Sequence, residues 1–88
     1  MAIGLLVGRE RDMTRYYFNV CDDEGTVADF EGTECRNLLA VKLEAEASAR
    51  ELLVHDIRAI RHLNNRRVEV VNERGQIVAT VRLKDLIH

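Results

Sequence analysis

The chain has no proline and no tryptophan, and only two cysteines, one serine and four aromatic residues among its 88 positions. Each shortage closes a possibility. Without proline, nothing covalent forces a break in a long helix. Two cysteines, Cys21 and Cys35, are too few for the disulfide framework that staples small secreted domains. They are read as reduced, inert thiols of a cytoplasmic protein. The one serine, Ser48, has no base at a useful spacing. There is no glycine-rich phosphate loop and no nucleophile elbow. No catalytic residue, cofactor or metal ligand is assigned, and the reading is non-enzymatic. Long apolar runs are also missing. Met1 to Gly8 is apolar but too short to span a membrane, and it lacks the basic leader and cleavage site of a signal peptide. Residues 1–12 are read as a flexible extension or an added strand, with Met13 as an alternative start, and residues 13–88 as one domain. No membrane partner is expected.

What is present is charge and one long periodic segment. The net charge is −2, unevenly spread: residues 1–35 carry three Arg against eight acids, whereas residues 36–88 carry ten Lys or Arg against seven acids. A chain this small buries a modest fraction of its surface, so oligomerisation would help it.

The periodic segment runs from Asn37 to Leu63. At ~100° per residue, Leu38, Val41, Ala45, Ala49, Leu52, Leu53, Ile57, Ala59, Ile60 and Leu63 share a broad face. Asn37 is placed to cap the first turn, and Asn64 and Asn65 to end the last. Ala45 and Ala49 leave the middle of the apolar face thin, so a sheet can approach closely. Asp56 falls inside the apolar arc. It is either a partly exposed, frayed end or a buried carboxylate paired with an arginine such as Arg67 or Arg82. A helix of this length would be ~39 Å long, and strands of six or seven residues cover only ~20–23 Å. One end should overhang its sheet and expose Ile57, Ile60 and Leu63, a patch that a second subunit would cover.

The flanks read as strands. Arg15 to Cys21 alternates, with Tyr16, Phe18 and Val20 on one side. Asp22 to Gly25 makes a turn, and Thr26 to Phe30 pairs back. Glu31 to Glu34 leads to the helix. Beyond it, Val68 and Val70 face one way. Asn72 to Gly75 turns the chain. Ile77, Ala79, Val81 and Leu83 are expected inward, and Val78, Thr80 and Arg82 outward. The order β-β-α-β-β implies an α+β two-layer sandwich, with an antiparallel sheet of about four strands packed on one long helix.

Three clusters are candidate sites. The acidic residues from Asp22 to Glu34 approach a calcium-loop spacing, but Val20 holds the first ligand position and a strand precedes the loop, so a solvated acidic hairpin is favoured. His55 and His62 lie ~10 Å apart along a helix, too far to share a metal whose ligands sit ~2 Å away. Arg58, Arg61, Arg66 and Arg67 gather at the helix end, where cations are stabilising in themselves. With no aromatic interleaved, nucleic-acid binding is the lesser reading.

Arg15-Tyr16-Tyr17-Phe18, the acidic glycine turn, Asp29-x-Glu31-Gly32-Thr33-Glu34, the helix segment Ala49-Arg50-Glu51-Leu52-Leu53, Val68-Glu69-Val70 and Asn72-Glu73-x-Gly75 together resemble a family of short bacterial proteins known only as a domain of unknown function. The resemblance covers roughly Met13 to Leu86. Phe30, Cys35 and Asn72 depart from its usual acidic residue, Leu and Asp. It implies a fold and a cytoplasmic setting, and no activity. The expectation is a homodimeric interaction or regulatory module. Its surface would comprise Asp56, Ile57, Ile60, Leu63, Arg58, Arg61, Arg66 and Arg67. A nucleic-acid module is the alternative.

Overall fold

The computed structural model describes residues 13–87, except the side chain of Arg58. Expectations for residues 1–12 and for His88 lie outside these. The elements are β1 (Thr14–Asp22), β2 (Gly25–Val27), β3 (Thr33–Cys35), α1 (Leu38–His55), α2 (Ile57–Arg61), β4 (Arg67–Val71), β5 (Ile77–Arg82) and a closing 3-10 turn (Leu83–Leu86). The fold is the expected α+β arrangement, a long helix on an antiparallel sheet. Among the described residues the sheet has five strands, in the order β2-β1-β4-β5 with β3 also on β1.

The fifth strand is the short β3, in the segment expected only to lead to the helix. Tyr16 pairs with Thr33 and Thr14 with Cys35, whereas Val20 pairs with Val27. β2 and β3 therefore lie end to end along the outer edge of β1. Asp29 bridges the gap between them. Its Oδ2 accepts the Phe18 N–H at 3.1 Å, and its Oδ1 accepts those of Glu31 and Gly32 at 3.2 and 3.1 Å. The Asp29 N–H donates to Asn19 Oδ1 at 2.9 Å. A carboxylate thus replaces the missing strand partner, which a buried edge N–H requires. Gly32 follows from the same crowding. It has φ +72, and a Cβ there would stand 2.8 Å from the Tyr16 carbonyl oxygen.

One face of the sheet is apolar in rows. Phe18 pairs with Val70 and Val70 with Ala79; Val20 pairs with Val68 and Val68 with Val81. Val68 and Val70 are fully buried, and so are Val41, Ala45 and Ala49 on the facing side of α1. The alanines permit the close approach their size suggested. The inward pattern of β5 differs from expectation in one place. A bulge between Val70 and Val71 pairs Val70 with Ala79 and Val71 with Ile77. Val78 is left unopposed and packs on the core, while Ile77 is exposed. An extra residue in one strand shifts the faces locally.

The helix starts as expected, with Asn37 Oδ1 accepting the Ala40 N–H at 2.8 Å. It does not run to Leu63. Asp56 takes an extended conformation, φ −122 and ψ 107, and its N–H closes the last turn of α1 on Leu52. The second helix begins one residue later. Aspartate favours helix ends over interiors because its short carboxylate competes for nearby backbone donors. At 18 residues, α1 is ~27 Å long, so most of the expected overhang is replaced by a bend.

Candidate interaction surface

The bend is held by a charge pair. Arg66 is 5% exposed, and its Nη2 lies 3.2 Å from Asp56 Oδ2. The sequence suggested a frayed Asp56 or a pairing with Arg67 or Arg82; the partner is Arg66. The Arg66 main chain is fixed on both sides. Its N–H donates to the His62 carbonyl at 2.8 Å, and its carbonyl accepts the Leu83 N–H at 3.1 Å. The ion pair therefore ties the end of α1 to the entry of β4 and the end of β5.

This arrangement divides the expected surface. Ile57 and Ile60 are exposed, at 68% and 60%, and Val54 beside them at 74%. Leu63 is half-buried against the core, and Ala59 is fully buried. Arg61 is exposed, whereas Arg66 is withdrawn into the pair with Asp56. Arg67 is half-buried, its Nε 2.8 Å from Glu69 Oε2. Arg58 is placed in α2 by its backbone, and its side chain lies outside the described residues. Among the described side chains, the set thus yields an exposed apolar pair, an internal ion pair between Asp56 and Arg66, an exposed Arg61 and an Arg67 paired with Glu69.

The open face of the sheet carries a polar chain. Thr26 Oγ1 donates to Cys21 Sγ, and Cys21 Sγ to Glu69 Oε1, each at 3.5 Å. Burial pushes the Cys21 thiol up, and burial does the same for Cys35, aided by Glu44. The Arg67 hydrogen bond holds the Glu69 carboxyl below the usual range. Both cysteines are buried and free. In the acidic hairpin, Asp22 Oδ1 accepts the N–H groups of Glu24 and Gly25 at 2.8 and 3.1 Å. Among the described residues, no three His, Cys, Asp or Glu side chains converge as a metal site. No helix among them is long and apolar enough to cross a membrane.

The feature that sequence reasoning missed is a groove. α1 lies over β4 and β5 rather than over β1. Phe18 and Val20 on β1 are consequently only half-buried. With Leu52 they floor an open groove of ≈ 420 Å³ between α1 and the β2–β3 edge. Its walls include Glu44, Ser48, Glu51 and His55 from α1 and Asp29 from the strand side. Those four helix residues are spaced i, i+4, i+7 and i+11, one flank of a helix. That spacing was readable, but nothing local says that the flank overlooks a strand. Past Glu44 and Thr33 the groove continues into a depression of ≈ 430 Å³ lined by Met13, Leu39, Ala40 and Leu43.

Ser48 and His55, both on the groove wall, do not form a nucleophile–base pair. They are seven residues apart on one helix, ~10 Å along its axis, well beyond the ~3 Å a nucleophile and base require. The concavity, apolar floor and polar rim of the groove have the general form of a binding site.

No curated protein and no solved structure matches the chain. One family model does, over residues 15–84, from the first residues of β1 to the closing turn. The span holds the Asp29 bridge, Gly32, the helix break and the C-terminal hairpin, and the chain belongs to that family, the domain of unknown function DUF6894.

Proposed function

We propose that this protein is a non-enzymatic interaction or regulatory module that acts as a homodimer in the bacterial cytoplasm. The observation that carries the reading is the exposed aliphatic group Val54, Ile57 and Ile60 at the α1–α2 junction. Solvent-facing aliphatic clusters on small domains mark contact surfaces, and a second copy is the simplest occupant for a chain of this size. The bend at Asp56 presents Ile57 and Ile60 on a short helix held by the Arg66 pair. Two buried free thiols accord with a reducing compartment.

Two of the four arginines offered for nucleic-acid association, Arg66 and Arg67, are already engaged by Asp56 and Glu69. That favours the protein-interaction reading over the alternative. Light scattering after size exclusion tests the dimer: a mass near twice 10.1 kDa supports it, and a mass of one chain at high concentration refutes it.

A further inference from the structure

The groove between α1 and β1 has a chemistry that selects its occupant. Its floor, Phe18, Val20 and Leu52, is apolar, and its rim carries the carboxylates of Asp29, Glu44, Glu51 and Asp56 together with Thr33, Ser48 and His55, with no lysine or arginine among the described residues that line it. Asp29 and Asp56 are committed, the first to three backbone N–H groups and the second to Arg66. Glu44 and Glu51 are exposed and make no ion pair or side-chain hydrogen bond among the described residues. Among the described residues the rim therefore presents two carboxylates with no counter-charge above an apolar strip that none of them covers.

We propose that this groove is the docking site for an extended segment of a partner protein that carries two lysines or arginines three residues apart. The inference rests on the interaction-module reading but not on the dimer. Charge complementarity sets the sign of the partner. The stems of lysine and arginine bury well against an apolar floor while their heads stay at the rim. The spacing sets the register. Glu44 and Glu51 are seven residues apart on α1, ~10 Å. An extended left-handed segment rises ~3.1 Å per residue with three residues per turn, so residues i and i+3 point the same way ~9 Å apart. The groove volume of ≈ 420 Å³ has room for a few side chains of such an extended segment. The continuation lined by Leu39 and Leu43 accepts an apolar residue beyond the cationic pair.

The probe is the labelled peptide acetyl-Leu-Pro-Lys-Pro-Leu-Lys-Leu-amide, titrated against the full chain by fluorescence anisotropy at low salt. Binding is expected to saturate and to weaken with added salt. The double variant Glu44→Gln, Glu51→Gln, checked for fold by circular dichroism, should lose about tenfold in affinity, the effect of two exposed charge pairs. Glu73→Gln, an exposed residue on the β4–β5 turn that lines neither the groove nor its continuation, should bind as the wild type does. A peptide with adjacent lysines should bind more weakly than the probe. No saturable binding by the folded wild type overturns the proposal. So does equal binding by the double variant, an equal loss in Glu73→Gln, or equal binding of the adjacent-lysine peptide. Sedimentation of the same samples reads the dimer separately, so failure of one leaves the other standing.

Discussion

The Asp56 carboxylate lies 3.2 Å from Nη2 of Arg66, and Arg66 is the only charged side chain among the described residues that is buried. The pair closes the bend between α1 and α2. Among the described residues Arg66 Nε and Nη1 have no hydrogen-bond partner, so Asp56 is the carboxylate in direct contact with the guanidinium, with Asp22 acting on it from further away. Removing Asp56 leaves a buried cation without its ion-pair partner, which costs more than the net worth of the pair. Asp56→Ala should destabilise the fold by about 3 kcal/mol. Arg66→Met, which removes the buried charge itself, should cost less than Asp56→Ala. Urea unfolding of both variants checks the order. Equal stability of Asp56→Ala and wild type would mean that the pair does not hold the bend.

Gly32 and Gly75 both have positive φ, yet their surroundings differ. A Cβ at Gly32 would meet the Tyr16 carbonyl at 2.8 Å and the Arg15 side chain at 2.9 Å, whereas one at Gly75 meets nothing within 4 Å. Gly75→Ala should therefore cost only the left-handed backbone penalty, about 1 kcal/mol. Gly32→Ala adds a clash with main chain that cannot swing away, for a total of about 3 kcal/mol. Thermal melts of the two variants decide this, and equal losses would contradict the crowding argument.

The same loop gives the protein part of its acid sensitivity. Burial pushes the Asp29 carboxyl up, but the N–H groups of Phe18, Gly32 and Glu31, with help from Arg15, outweigh it and hold the group below its ordinary value. The folded state therefore binds its proton less readily than the unfolded chain does. The stabilisation is complete above the unfolded value of about 3.9 and drains away as pH falls through the folded one. Asp29→Asn keeps one acceptor oxygen but turns an amide toward an N–H donor. It should cost about 2 kcal/mol at neutral pH. The gap between variant and wild type should narrow as pH falls below about 4. Urea midpoints measured across that range test the sign; a gap that widens would refute it.

Much of this fold was legible because its signals are local. The alternation from Tyr16 to Val20, the Asn37 cap and the hairpin turn at Asn72 to Gly75 each depend on neighbours within a few positions. The helix break was hidden because apolar periodicity continues through Asp56 to Leu63. The pairing of Asp56 with the buried Arg66, ten residues on, is not visible in that periodicity. β3 is too short to alternate, and its pairing with β1 depends on Asp29 spanning the edge. The exchange of Ile77 for Val78 follows from a bulge one residue wide. The groove was illegible for a different reason. Glu44, Ser48, Glu51 and His55 show themselves as one helix flank, but the sideways placement of α1 over β4 and β5, which uncovers Phe18 and Val20, is a property of the packed layers. The expected surface was legible in part: Ile57 and Ile60 are exposed, while Leu63 and Arg66 turn inward.

The central claim is that the exposed aliphatics at the α1–α2 junction join two copies of the chain. Sedimentation equilibrium on the wild type and on an Ile57→Asp, Ile60→Asp double variant tests it most directly. Both residues are largely exposed, so the variant should keep its circular dichroism spectrum. The account predicts a wild-type mass approaching twice 10.1 kDa as concentration rises, and a single-chain mass for the variant throughout. A wild type that stays at one chain, or a variant that still dimerises, would contradict it.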